Sequence, residues 1–156
     1  MANERNDIPL YTRLDGELVS HFRLKEFENV EGLAMVHPSV LLSLERVRRD
    51  LGALEGEPVG VRVTDAVRTA ADLAHLAQRL GWTDEGGLVS RASKQLSKYG
   101  GIAVDLVAYR VADGARVPQA RVGMVCRRHF DFVKDDYLDG HVHADNRGAR
   151  GGMGRG

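Results

Sequence analysis

An aspartate set in the middle of an apolar run constrains this chain more than any other feature. From Ile102 to Tyr109 the residues read Ile-Ala-Val-Asp-Leu-Val-Ala-Tyr, which predicts a central strand. Period-two geometry puts Ile102, Val104 and Leu106 on one face and Ala103, Asp105 and Val107 on the other. A carboxylate so placed is costly to bury unless it is paired or bound to a metal. Asp105 is therefore a site candidate, the alternative being a salt bridge to an arginine or a cap on a nearby loop. A second short strand is predicted at His141-Val142-His143-Ala144-Asp145, with both histidines on one face and about 7 Å apart. Two imidazoles so placed are either a metal ligand with an acid/base or hydrogen-bonding partner, or simply a pair of exposed strand histidines.

The rest of the pattern mixes helices with strands. Leu18 to Phe27 reads as a short ordered segment anchored by Phe22, Leu24 and Phe27. His37-Pro38-Ser39 opens a helix with Pro38 in its first turn; Val40, Leu41, Leu44, Val47 and Leu51 fall on one face, and Gly52 is the expected end. Pro58 to Val63 alternates Val59, Val61 and Val63 with Gly60 and Arg62, the period of a half-buried strand. Thr69 to Leu80 reads as a second helix stopping at Gly81, with His75 on its surface or in packing. The polar stretch Trp82 to Tyr99 is a long connection of the kind that carries function. Pro118 to Phe130 reads as a third helix with Val117, Val122 and Val125 buried, and Asp131 to Asp135 leads to a turn at Asp136 to Gly140.

With 156 residues the chain suits one domain, expected over residues 1–147, followed by a Gly/Arg-rich tail at 148–156 that is flexible when free. Hydrophobic residues make up 43% and charged residues 28%, enough apolar surface to build a core. Twenty-two basic residues balance twenty-two acidic ones, so no global field favours nucleic acid as a partner. No apolar run approaches the roughly 20 residues of a membrane span, and the polar start from Met1 to Pro9 is unlike a signal peptide, so synthesis in the cytoplasm is expected. Cys126 is the only cysteine, which excludes an internal disulfide or a cysteine-based zinc cluster and leaves it as a small core residue.

Five segments in order carry a family resemblance: Phe22-Arg23-Leu24-Lys25-Glu26-Phe27, Leu44-Glu45-Arg46-Val47-Arg48, Val63-Thr64-Asp65-Ala66-Val67-Arg68-Thr69, Gly101-Ile102-Ala103-Val104-Asp105, and Tyr137 through Arg147. From about residue 18 to 147 the chain resembles zinc D-alanyl-D-alanine carboxypeptidases and related peptidoglycan endopeptidases. The resemblance implies an α+β fold shared with the hedgehog signalling domain, a small antiparallel sheet flanked by helices with zinc on one sheet face. It also implies bacterial peptidoglycan as the substrate and, since many relatives are phage proteins, other virion proteins as neighbours. In that pattern Asp105 and His143 match two zinc ligands, and Asp145 and Arg147 match the acidic and basic residues that follow. Arg68 matches the arginine that binds the substrate carboxylate or developing oxyanion, Ser93 the serine before the first histidine ligand, and Asp139 or His141 would handle the proton.

The first histidine ligand is where the chain departs from the family. Counting back from Asp105 reaches Lys98, and aligning Ser93 as the serine reaches Gln95. A lysine must lose a proton to bind zinc, and an amide oxygen is a weak donor beside an imidazole nitrogen. His141 and His129 are the substitute candidates. Two functions follow: an active zinc peptidase of cell-wall stem peptides, or a catalytically inactive member of the fold serving as a structural or binding component of a phage virion or tail.

Overall fold

The computed structural model of the chain describes residues 4–29, 31–66 and 101–148. Strands β1 (Pro9–Leu14) and β2 (Glu17–Arg23) form an antiparallel hairpin, and β2 runs into a short 3-10 turn at Leu24–Phe27. Helix α1 (Pro38–Glu55) follows, then β3 (Val59–Asp65). After the undescribed stretch come β4 (Ala103–Arg110), helix α2 (Gln119–Cys126), β5 (Phe132–Lys134) and β6 (Val142–Asp145). The four later strands make one antiparallel sheet in the order β3-β4-β6-β5. The described residues are thus α+β, with two antiparallel sheets and two helices.

Helix α1 supplies the main wall of the core. Val40, Leu41, Leu44, Val47 and Leu51 are all buried, as the 3.6-residue period requires. They pack with Val59 and Val61 of β3, with Val104, Leu106 and Ala108 of β4, and with Val142 and Ala144 of β6. Phe22 and Phe27 close the core from the hairpin side, whereas Leu24 is only half-buried. Glu45, a buried carboxylate on α1, accepts hydrogen bonds from the backbone N–H (2.9 Å) and the ring Nδ1 (2.7 Å) of His21, tying α1 to β2. The face of β4 and β6 opposite α1 is thereby left to present Asp105 and His143.

Several boundaries differ from expectation. Helix α1 passes through Gly52 and ends at Glu55, where Gly56 takes the left-handed conformation (φ 73°) and donates to Gly52 O at 2.9 Å. A glycine inside a helix costs only about 1 kcal/mol, whereas the left-handed cap strongly prefers one. The third helix is eight residues long and stops at Cys126, because the N–H groups of Arg128 and His129 turn back to Val125 O and Cys126 O. Val117 is buried but precedes the helix. Where Asp131 to Asp135 reads as a lead-in to a turn, Phe132–Lys134 forms an edge strand on β6. Strand β1 was not anticipated; Asp15 (φ 51°) and Gly16 (φ 86°) make the tight turn that joins it to β2. The expected helix at Thr69 to Leu80 with His75, the connection Trp82 to Tyr99, and the tail from residue 149 lie outside the described residues.

Candidate metal centre

The β4–β6 register places Asp105 directly opposite His143, with Ala103 opposite Asp145. Directly opposed side chains on antiparallel strands share one face and meet. Asp105 Oδ1 lies 3.0 Å from His143 Nδ1, and His143 Nε2 lies 2.9 Å from Asp145 Oδ2. Behind Asp145, Arg147 donates through Nε (2.8 Å) and Nη2 (2.9 Å) to the two carboxylate oxygens, a forked pair of the strong type. The Arg147 guanidinium also stacks 3.9 Å from the Phe132 ring centroid, and Phe132 presents its edge to His143 at 6.1 Å. Strand β5 therefore walls the site on one side.

On the other side stands His141. Its Nε2 is 3.6 Å from Asp105 Oδ2, and its ring Nδ1 is bonded to Asp139, which also accepts the His141 backbone N–H at 3.1 Å. Tyr137 stacks on the His141 ring with centroids 4.0 Å apart and planes 19° from parallel. The connected series is Asp139, His141, Asp105, His143, Asp145, Arg147. Side-chain exposure is 17% for His141, 16% for Asp105, 14% for His143 and 0% for Asp145, so the contacts among these four act with little solvent screening, whereas Asp139 at 72% and Arg147 at 40% face solvent.

Electrostatics follow from that burial. Desolvation alone would lower the His143 pKa, but hydrogen bonds and charge from Asp105 and Asp145 outweigh it and raise the ring to about 9. Desolvation would likewise raise Asp145, yet the Arg147 and His143 donors bring it down to about 2. The backbone and ring of His141 hold Asp139 below the ordinary carboxylate range, and burial with the nearby Asp105 charge raises Tyr137.

Asp105 and His143 fit two corners of a zinc site. Two donors about 2.0 Å from a tetrahedral zinc sit roughly 3.3 Å apart, close to the separation found here. Metal-bound histidines hold their second nitrogen on a carboxylate, which fixes tautomer and ring orientation, and Asp145 stands in that place. Without a metal the same atoms close a carboxylate–imidazolium–carboxylate bridge. Among the described residues no group of three His, Cys, Asp or Glu side chains is arranged to hold a metal ion. A zinc held here would need a third donor from elsewhere; Gln95 and Lys98, together with Arg68 and Ser93, lie outside the described residues.

Of the substitute candidates, His141 joins the cluster and His129 does not. His129 bonds Asp50 of α1 through Nε2 at 2.7 Å and lines a cavity of about 300 Å³ with Ser39, Ser43, Arg46 and Asn146. Asp139 reaches Asp105 only through His141, by a hydrogen bond to the ring Nδ1 and then the 3.6 Å ion-pair contact from Nε2 to Asp105. Sequence reasoning gave no role to Phe132, to the Tyr137 ring or to Gln119. Only pairing with β6 reveals Phe132, and only the loop's folding reveals the other two.

Searches with the whole chain against protein-family models, curated proteins and solved structures find no match. No described helix is long and apolar enough to cross a membrane.

Proposed function

We propose that this chain is a zinc-dependent peptidase of the D-alanyl-D-alanine carboxypeptidase and peptidoglycan endopeptidase type, with the hedgehog-related fold, acting on cell-wall stem peptides and encoded by a phage. The observation that carries the reading is the in-register pair Asp105 and His143, with His143 anchored from behind by the fully buried Asp145. Such an anchored carboxylate–imidazole pair on a sheet face would supply two of the three protein ligands that a catalytic zinc takes. Asp105 and His143 would hold the metal, which when bound supplies a Lewis acid and an acidified water. Arg68 would bind the substrate carboxylate or carbonyl, and Ser93 is the other substrate-binding candidate. His141, bonded to Asp139 and 3.6 Å from Asp105, would accept and return a proton at its Nε2.

A second reading has its own support: the lack of a third donor among the described residues, and Gln95 or Lys98 at the family's histidine position. On that reading the chain is a catalytically inactive peptidase fold in a virion or tail. Zinc analysis of the purified protein paired with digestion of isolated cell wall separates the two. Stoichiometric zinc that is lost in His143→Ala, with wall digestion by the parent, supports the peptidase. Absent zinc, with Asp105→Ala leaving every measured activity unchanged, ends it.

A further inference from the structure

We infer that Gln119, the first residue of α2, is the positioning residue that sets His141 against Asp105; this rests on the reading of their cluster as a substrate-processing site. A glutamine amide carries two N–H donors. Both are spent on one loop: Nε2 donates to Tyr137 O at 2.9 Å and to His141 O at 2.8 Å. These carbonyls bracket the turn Leu138 to Gly140, so one side chain fixes both ends of it. The turn is closed internally by Gly140 N–H to Tyr137 O at 3.1 Å and by Asp139 on the His141 N–H.

The consequence reaches the site through the rings. Tyr137 and His141, whose carbonyls Gln119 holds, are the stacked pair, and the stack keeps His141 Nε2 toward Asp105 Oδ2. The start of the loop is held separately. Arg127 of the turn after α2 takes both Asp135 oxygens at 2.8 and 3.0 Å, and the bare Gly123 lets the Asp135 side chain lie against the helix. Removing the Gln119 donors therefore frees the segment from Tyr137 to His141 while its base at Asp135 stays fixed.

Opposite charges at this position test the role. At the first position of a helix a carboxylate favours the helix dipole and an ammonium opposes it. A residue that merely starts α2 thus predicts Gln119→Glu above Gln119→Lys. A donor to two carbonyls predicts the reverse, because lysine still donates and an ionised carboxylate does not. The measurement is NMR of the histidine ring protons in the full chain, with His143 as internal reference. The parent and Gln119→Lys should keep the His141 signals displaced by the Tyr137 ring current. Gln119→Glu should lose that displacement with His143 unmoved. If Gln119→Glu keeps it, the inference is overturned. Should Gln119→Glu fail to fold, Gln119→Met keeps the volume without donors, and undisplaced His141 signals in it are again required. Stem-peptide hydrolysis is a separate arm. An inactive parent removes the peptidase reading and leaves the NMR result standing. With an active parent, kcat should fall on the order of tenfold or more in Gln119→Glu at unchanged KM, and an unchanged kcat overturns the inference.

Discussion

Replacing Gly101 by alanine should destabilise the fold by far more than the same change at Gly114, although both residues have nearly the same backbone conformation, φ 68° and φ 72°. A non-glycine residue in the left-handed region costs about 1–2 kcal/mol. The loss of unfolded-chain freedom on going from glycine to alanine offsets about half of that at either position and cancels in the comparison. At Gly114 a Cβ meets nothing within 4 Å, so the cost stops there. At Gly101 it would lie 2.7 Å from Met35 O, 2.8 Å from Met35 C and 3.0 Å from Val36 Cα, all backbone atoms that no rotamer change can move aside. Relief means pushing β4 off the segment before α1, at an overpacking cost of about 1–3 kcal/mol. It also stretches the bond from His37 N–H to Gly101 O (3.1 Å), worth about 1 kcal/mol. His37 is the N-cap of α1, its ring accepting from the Ser39 N–H at 3.1 Å, so the disturbance spreads to the helix start. With that offset the total is roughly 2.5–5 kcal/mol at Gly101 against about 0.5–1 at Gly114. For a domain of this size that is a fall in Tm of roughly 10 °C against roughly 2 °C. Thermal melts followed by circular dichroism provide the comparison. Equal falls within about 2 °C would refute the argument that close backbone approach, rather than φ alone, makes this glycine necessary.

Two further outcomes follow from groups remote from the candidate site. Burial pushes the Cys126 thiol up to about 12, so at pH 8 the folded protein should resist iodoacetamide while the urea-unfolded chain is alkylated, as counted by intact mass; rapid labelling of the folded form would contradict its burial. The Arg127 hydrogen bonds hold Asp135 below its ordinary pKa, so their contribution is present above the ordinary carboxylate value and is lost as pH falls through the lowered one. Both side chains are partly exposed, which limits the effect to under about 1 kcal/mol; Arg127→Ala should lower Tm slightly at pH 7 and the deficit should vanish at low pH, whereas a constant deficit would point to lost packing instead.

What the sequence disclosed depended on how far apart the interacting residues lie. The buried stripe of α1 and the two faces of β4 are local periodicities, and both read true from Val40 to Leu51 and from Val104 to Ala108. The Asp15-Gly16 turn is equally local, an Asp-Gly pair of the kind that joins hairpin strands. Strand β5 is different: three residues show no period, and its existence rests on β6. Asp105 and His143 stood out because an aspartate interrupts an apolar strand and two histidines alternate. Their contact depends on a pairing 38 residues apart that no local pattern contains. The grip of Gln119 on two carbonyls leaves no trace in side-chain types at all, since any loop offers carbonyls.

The order β3-β4-β6-β5 also predicts an order of assembly. Strand β5 precedes β6 in the chain but pairs only with it among the described strands, so residues 132–134 have no ladder until 142–145 slides between them and β4. Pairing β6 with β4 and β5 brings Asp105 to His143 and Phe132 to the imidazole edge, whereas Asp145 and Arg147 are two residues apart and meet locally. In a refolding experiment, amide protection in β5 and β6 should rise together, after the α1–β3 core has formed. The site would thus behave as the closing step of folding rather than as a template for it, and any variant that delays the insertion would lengthen the life of a nearly complete sheet with one open edge.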